Sequence, residues 1–170
     1  MSNNIVKSPE GIALWTPFCH DPDRKYPHKS GKGYYSITLS LTKEARDEME
    51  KQIYDVIGEQ GKGSVAFKSD GTGRSEIKIK CLESLTDKFG NEKNQKPPVM
   101  FEGKSYANSF EHATVRVAYS PKYFSGYGKT SLTLKGVEII ALQDLNTPTE
   151  EEEAQKVLEA LGSRAVLGNA

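Results

Sequence analysis

The sequence predicts a mainly β protein, a barrel of roughly five or six strands with one helix covering an end. Three observations support this fold class. Short segments of alternating apolar and polar residues recur along the chain, one segment has the four-residue spacing of an amphipathic helix, and glycine-rich turns separate the alternating segments. A parallel α/β sheet needs a helix between successive strands, and the chain has too few helical segments for it.

The first predicted strand covers residues 11–18 and is closed by Pro17, and a polar loop, 20–33, follows it. The second covers Tyr34–Leu41, where Tyr35 and every second residue after it are apolar. This alternation predicts a strand that is buried on one face only.

The helix is predicted over residues 43–58. Thr42 is a suitable N-cap, and Gly58 lies where a C-terminal glycine belongs. Apolar side chains recur at intervals of four, at Ala45, Met49, Ile53 and Ile57. The opposite, acidic face is expected to contact water.

The middle of the chain predicts two strands, Val65–Phe67 and Arg74–Cys81, joined by a hairpin turn at 69–73. Ile77 and the apolar residues in phase with it should point into the core, and the charged residues between them away from it. Residues 86–110 then form a long connection without clear periodicity, which is typical of a functional or mobile segment.

The remaining strands are predicted over Ala113–Tyr119 and Thr130–Leu142, with a loop, Ser120–Lys129, between them. Tyr119 shares the parity of the apolar residues and is expected in the core. Gly136 indicates a bulge or a bend within the last strand.

Composition and length indicate two regions. The 170 residues, 36% of them hydrophobic, can bury one modest core. We expect one domain over residues 1–144 and an acidic tail over 145–170. In the tail, Thr149 and Glu152 form a capping box before a short apolar stripe of helical spacing. The stripe consists of Ala154, Val157, Leu158 and Leu161.

Location is predicted from what the sequence does not contain. No segment approaches the ~18 apolar residues of a membrane span. The N-terminal segment has no apolar core of a signal peptide, and two cysteines form no disulfide framework. These observations predict a cytoplasmic protein with no membrane partner.

Charge is unevenly distributed although the formal net charge is zero. Residues 145–170 hold five acids and two bases, and residues 43–59 hold six acids and three bases, which leaves 18 bases against 12 acids elsewhere. The neutral total therefore hides a basic body, an acidic helix and an acidic tail. Such zoning either serves solubility or attracts an anionic partner to the body.

Catalytic motifs are weak. Asp70, Glu76 and Lys78 have the D…E-x-K order of some metal-dependent nucleases, although Asp70 precedes a glycine at a turn and the other two suit the solvent face of a strand. Cys19 and His20 have no paired ligand spacing for a metal. Because no dense catalytic constellation is present, we expect no enzyme activity, no metal and no cofactor.

The aromatic residues favour nucleic-acid binding. Seven of the fifteen fall within residues 101–127, and Tyr123, Phe124 and Tyr127 share a segment with glycines and lysines. Unpaired bases stack on such rings for about 1–3 kcal/mol each, while lysines neutralise the phosphates. For Trp15, the sequence leaves two placements open, in the core or at the edge of the binding groove. The predicted nucleic-acid-binding residues are Tyr34, Lys78, Lys80, Arg116, Lys122, Tyr123, Phe124, Tyr127, Lys129 and Lys135.

The chain resembles the single-stranded DNA-binding proteins of tailed phages, which are built on an OB fold. The resemblance spans about residues 11–142. It rests on Pro17 followed by an aromatic residue, the strand from Tyr34, the helix directly after it, and the segments 114–119 and 132–137 with an aromatic-glycine loop between them.

The resemblance implies a five-stranded barrel that coats single-stranded DNA during phage replication and recombination. It also implies an acidic tail that competes for the DNA groove and contacts phage or host replication proteins. This chain departs from that pattern, because residues 164–170 contain no acid and no aromatic. Packing of the tail helix on a neighbouring subunit, as in a homodimer, is an alternative.

Three hypotheses follow. The leading one is a non-catalytic single-stranded DNA-binding protein. The second is a small metal-dependent nuclease or resolvase that uses Asp70, Glu76 and Lys78. The third is a virion or scaffold protein in which the acidic helix and the tail helix serve assembly.

Overall fold

A computed structural model describes residues 4–61, 63–142, 154, 155 and 157–161 of the chain. Up to residue 142, the α-helices are α1 (Pro17–His20) and α2 (Lys43–Ile57). The strands in chain order are β1 (Val6–Lys7), β2 (Gly11–Leu14), β3 (Tyr34–Leu41), β4 (Lys68–Ser69), β5 (Ser75–Leu82), β6 (Ser84–Thr86), β7 (Glu92–Asn94), β8 (Val99–Phe101), β9 (Lys104–Ser105), β10 (Thr114–Phe124) and β11 (Lys129–Ala141).

Five strands close into a barrel in the order β10-β2-β3-β5-β11, with β11 pairing back to β10. All these pairings are antiparallel except that of β5 with β11, where Lys80 lies opposite Thr133. Closure leaves none of the five strands with a free edge along its whole length. The OB-fold-like five-stranded barrel predicted from the sequence is confirmed.

The core fills the barrel with the inward-facing side chains of alternate residues. Ile37, Ile79, Val117 and Tyr119 are all buried, as their parity predicts. The Tyr119 hydroxyl donates to Oε1 of Gln52 on α2 at 3.1 Å, so even the polar end of this core ring is satisfied.

Helix α2 covers one end of the barrel, directly after the second barrel strand. It begins where the Thr42 hydroxyl accepts a hydrogen bond from the Ala45 N–H at 3.2 Å, and it ends at Gly58 with φ +81°. Met49 and Ile53 are fully buried. Both predicted caps are confirmed.

The N-terminal strand is shorter than predicted. It ends at Leu14, and Pro17 begins α1 instead of closing a strand. Because proline has no N–H to donate and a fixed φ, it suits the first turn of a helix. Strand β1, which pairs with β10, was not predicted from the sequence.

Two predictions for the middle of the chain are wrong in detail. Residues 65–67 are not a strand, and β4 begins one residue later and pairs with β5 across the predicted turn. The segment predicted as a connection over 86–110 overlaps two short ladders, β6–β7, which begins at Ser84, and β8–β9. Their strands are too short to produce a periodic signal in the sequence.

The segment predicted as a loop at Ser120–Lys129 is mostly strand. Strand β10 continues to Phe124 and β11 begins at Lys129, so only four residues turn the hairpin. The predicted bulge is confirmed, because Ala118 pairs with Gly136 and Tyr119 with Leu134, which leaves Lys135 as the extra residue.

The tail is described only in part. Residues 154, 155 and 157–161 are helical, and Val157, Leu158 and Leu161 are exposed. Thr149 and Glu152 lie outside the described residues, as does most of the region 145–170. No helix within the described residues is long and apolar enough to cross a membrane.

Candidate nucleic-acid interface

A groove of about 950 Å³ lies against the outer face of β3, β5 and the first half of β11. Strand alternation places its side chains, because Ile79 and the residues in phase with it fill the core while Lys78 and Lys80 point outward. Thr38 lies opposite Lys78, and Thr133 lies opposite Lys80. The groove therefore crosses three adjacent strands, and it also touches apolar residues such as Ile77 and Leu132.

The groove is strongly cationic. In the part of the chain that the structure describes, five lysines and one acid, Glu76, line it. Among the described residues, the five cations in salt bridges all lie elsewhere, so none of the groove lysines has a carboxylate within 4.0 Å. The lysines are Lys68, Lys78, Lys80, Lys129 and Lys135.

Three aromatic rings line the same groove, those of Trp15, Tyr34 and Phe124. The Lys80 ammonium lies 4.5 Å from the centre of the Tyr34 ring, and the Lys122 ammonium lies 5.2 Å from that of Phe124. Trp15 is 64% exposed. Flat apolar rings beside ammonium groups can accept bases and phosphates together.

Six of the ten predicted binding residues line the groove. They are Tyr34, Lys78, Lys80, Phe124, Lys129 and Lys135. A seventh, Lys122, does not line the groove itself, but its ammonium lies near the Phe124 ring, which does.

Three predicted residues are placed elsewhere. Arg116 pairs in register with Glu138 beyond the bulge of β11, and its guanidinium lies 3.9 Å from Glu10. Tyr123 is adjacent to Phe124 on a strand and therefore points to the opposite face. Tyr127 is 81% exposed in the turn of the hairpin. Of the three rings that share this segment, Tyr123, Phe124 and Tyr127, only Phe124 lines the groove.

Several groove residues were missed by the sequence analysis. Thr38, Ser131 and Thr133 share the outward parity of their strands, so the alternation could have identified them. Lys68 lies one residue beyond the strand as it was predicted. His28, Leu85 and Gln95 come from segments without periodicity, and no sequence signal places them here.

Asp70, one of the proposed nuclease residues, has a structural role. Its carboxylate accepts hydrogen bonds from the hydroxyl and the backbone N–H of Thr72, and these bonds hold the pKa of Asp70 below its ordinary value. Glu76 and Lys78 both line the groove. In the described part of the chain, no group of three His, Cys, Asp or Glu side chains is placed to hold a metal ion.

The two cysteines are buried and are not paired with each other. Burial raises the pKa of Cys19 to about 12 and that of Cys81 to about 11. Both thiols are therefore protonated at neutral pH, which suits neither a nucleophile nor a metal ligand.

No protein-family model matches the sequence, and no curated protein does. Solved structures do match. The crystal structure of gp2.5, a single-stranded DNA-binding protein encoded by bacteriophage T7, has a TM-score of 0.64 at 22% identity, over 88% of this chain and 99% of that chain. The single-stranded DNA-binding protein from bacteriophage Enc34, in complex with ssDNA, has a TM-score of 0.58 at 16% identity, over 82% of this chain and 88% of that chain.

The fold is that of phage single-stranded DNA-binding proteins. This confirms the resemblance predicted from the sequence. At these identities the likeness establishes the fold, and what the groove binds has to be argued from its own residues.

Proposed function

We propose that the chain binds single-stranded DNA in the groove across β3, β5 and β11. The observation that carries the proposal is the coincidence, in one groove, of three rings with five lysines that form no ion pair with any described residue. Lysines neutralise phosphates without reading sequence, and every base has a face that can stack on a ring. The proposed binding is therefore sequence-tolerant.

The aromatic rings that line the groove favour single strands over duplex. In a duplex the bases stack on one another and cannot lie against protein rings, whereas an unpaired strand presents them freely. The two solved phage proteins of the same fold are single-stranded DNA-binding proteins, which supports the proposal. A role in coating DNA during phage replication and recombination, in the host cytoplasm, is part of the proposal.

The test is a titration of matched single-stranded and duplex oligonucleotides that carry fluorescein. We expect tight binding to the single strand, weaker binding to the duplex, and affinity that falls steeply with salt. Equal affinity for both forms, or none for either, would contradict the proposal. The same mixtures with Mg²⁺ test the nuclease alternative, and we expect the DNA to remain intact.

Phe124 and Phe89 provide a matched pair of ring deletions. Each ring is exposed and each has a lysine ammonium 5.2 Å from its centre, but Phe124 lines the groove and Phe89 does not. Phe124→Ala should weaken binding by about 1–3 kcal/mol, and Phe89→Ala should leave it unchanged. Equal effects of the two substitutions would place the DNA outside the groove.

Recruitment of replication proteins by the acidic tail and formation of a homodimer stay predictions. Most of the residues that they concern lie outside the described part of the chain. Competition of the acidic tail for the groove is a further prediction of the resemblance. If it occurs, deletion of residues 145–170 should raise the affinity for single strands.

A further inference from the structure

Trp15 has a backbone conformation that a bulky side chain rarely adopts. Its φ is +60°, in the left-handed region, where the side chain of an L-residue crowds its own backbone. Its indole is nevertheless 64% exposed and lines the groove. Since an exposed ring adds little to the core, burial of the side chain does not explain this conformation.

The carboxylate of Glu111, which is 96 positions away in the sequence, holds this conformation. Its Oε2 accepts the Trp15 N–H at 2.9 Å, and its Oε1 accepts both the Thr16 N–H at 2.8 Å and the Thr16 hydroxyl at 2.9 Å. Two successive backbone N–H groups are thus bound to one carboxylate. Such a bidentate contact fixes the direction of the chain at Trp15.

Glu111 is itself fixed against the end of β2. The His112 N–H donates to the Ala13 carbonyl at 2.8 Å, and the Ala13 N–H donates to the Ala113 carbonyl at 2.9 Å. Burial acts to raise the pKa of Glu111, but the hydrogen bonds from Thr16 and Trp15 outweigh it and the pKa lies below its ordinary value. The carboxylate is therefore ionised at neutral pH, the form that accepts these bonds most strongly.

A purely structural role of the contact between Glu111 and residues 15–16 would not require a tryptophan at position 15. Glu111 also accepts a hydrogen bond from the N–H of Thr16, the residue before α1. The Thr16 side chain does not cap the helix. That role needs no ring at position 15, and glycine adopts φ +60° without crowding. Strained conformations that persist at a ligand groove are typical of functional residues.

We propose that Glu111 is a positioning residue that holds Trp15 in the left-handed conformation, so that the indole faces the groove as a stacking surface for an unpaired base. This inference rests on the proposed function. The hydrogen bonds given for the Glu111 carboxylate among the described residues come from the Trp15 N–H and from the N–H and hydroxyl of Thr16, so Glu111 acts on DNA through the ring.

Trp15 is the single tryptophan of the chain, so its fluorescence reports on this site alone. An unlabelled oligothymidine should quench the emission of the wild-type protein. Trp15→Ala should weaken binding about 5-fold to 150-fold, the equivalent of one stacked base. Glu111→Gln should weaken binding in the same direction and raise the collisional quenching of Trp15 by acrylamide. Glu48→Gln, the same charge change on the exposed face of α2, should do neither.

A double variant separates a positioning role from a direct one. If Glu111 acts through the ring, Glu111→Gln should cost no further affinity in the Trp15→Ala background. An equal loss in both backgrounds would overturn the inference. Binding of a fluorescein-labelled oligonucleotide without any change in Trp15 emission would also overturn it while leaving the proposed function intact, and absence of binding by the wild type would remove both.

Trp15→Gly keeps the inference testable even if Glu111→Gln fails to fold. Glycine relieves the crowding at φ +60°, so the melting temperature should stay the same or rise while binding falls to the level of Trp15→Ala. Trp15→Phe should retain most of the affinity. A glycine variant that binds like the wild type, or that loses stability, would show that the ring is not held there for a ligand.

Discussion

The groove lysines allow a prediction with a magnitude worked from the structure. For single strands, the logarithm of the binding constant falls with the logarithm of salt concentration by a slope of about 0.7 per phosphate neutralised. Five lysines line the groove, and none of them has a carboxylate partner in the described part of the chain. If each neutralises one phosphate, the slope should be about −3.5. Replacing Lys78 and Lys129 together with alanine should reduce it to about −2.1.

The assay is a set of oligothymidine titrations at several salt concentrations. The control replaces Lys43 and Lys51 on α2 with alanine, since both are exposed and neither lines the groove. This control changes the net charge equally and should leave the slope near −3.5. Equal slope changes in the two double variants would refute the reasoning, because the contribution would then come from overall charge.

Other predictions concern stability and reactivity. Ile53→Ala, at a fully buried position, should lower the free energy of unfolding measured by urea denaturation by about 2–5 kcal/mol. Thr42→Ala removes the N-cap of α2 and should lower the same free energy by about 1 kcal/mol. A thiol reagent at pH 7.5 should modify Cys19 and Cys81 only after unfolding, because burial raises both pKa values. Because the pKa of Glu111 is lowered in the fold, its ionised carboxylate stabilises the protein above the ordinary pKa, and this stability is lost as the pH falls through the lowered pKa. Glu111→Gln should remove this part of the decrease in melting temperature at acid pH.

Local signals made much of the fold predictable. Strand β3 has the bounds that its alternation predicts, and α2 begins and ends at its predicted caps, Thr42 and Gly58. The bulge next to Gly136 also follows from the sequence, because glycine inside an alternating strand indicates one. In each case the determining residues are neighbours in the chain.

The site was less predictable because it depends on contacts between distant residues. The segment around Tyr123 has the glycine, serine and lysine content of a loop, yet cross-strand pairing with β11 extends β10 through it. As neighbours on a strand, the side chains of Tyr123 and Phe124 then point to opposite faces of the sheet. Trp15 could not be placed, because the carboxylate that fixes it is 96 positions away at Glu111.

Photo-crosslinking of an oligonucleotide that contains 5-iodouracil tests the central claim most directly, since this base attaches to the aromatic rings on which it stacks. Mass spectrometry of the digested complex should find the attached base on Trp15, Tyr34 or Phe124. Attachment confined to Tyr123 and Tyr127, which lie outside the groove, would contradict the account.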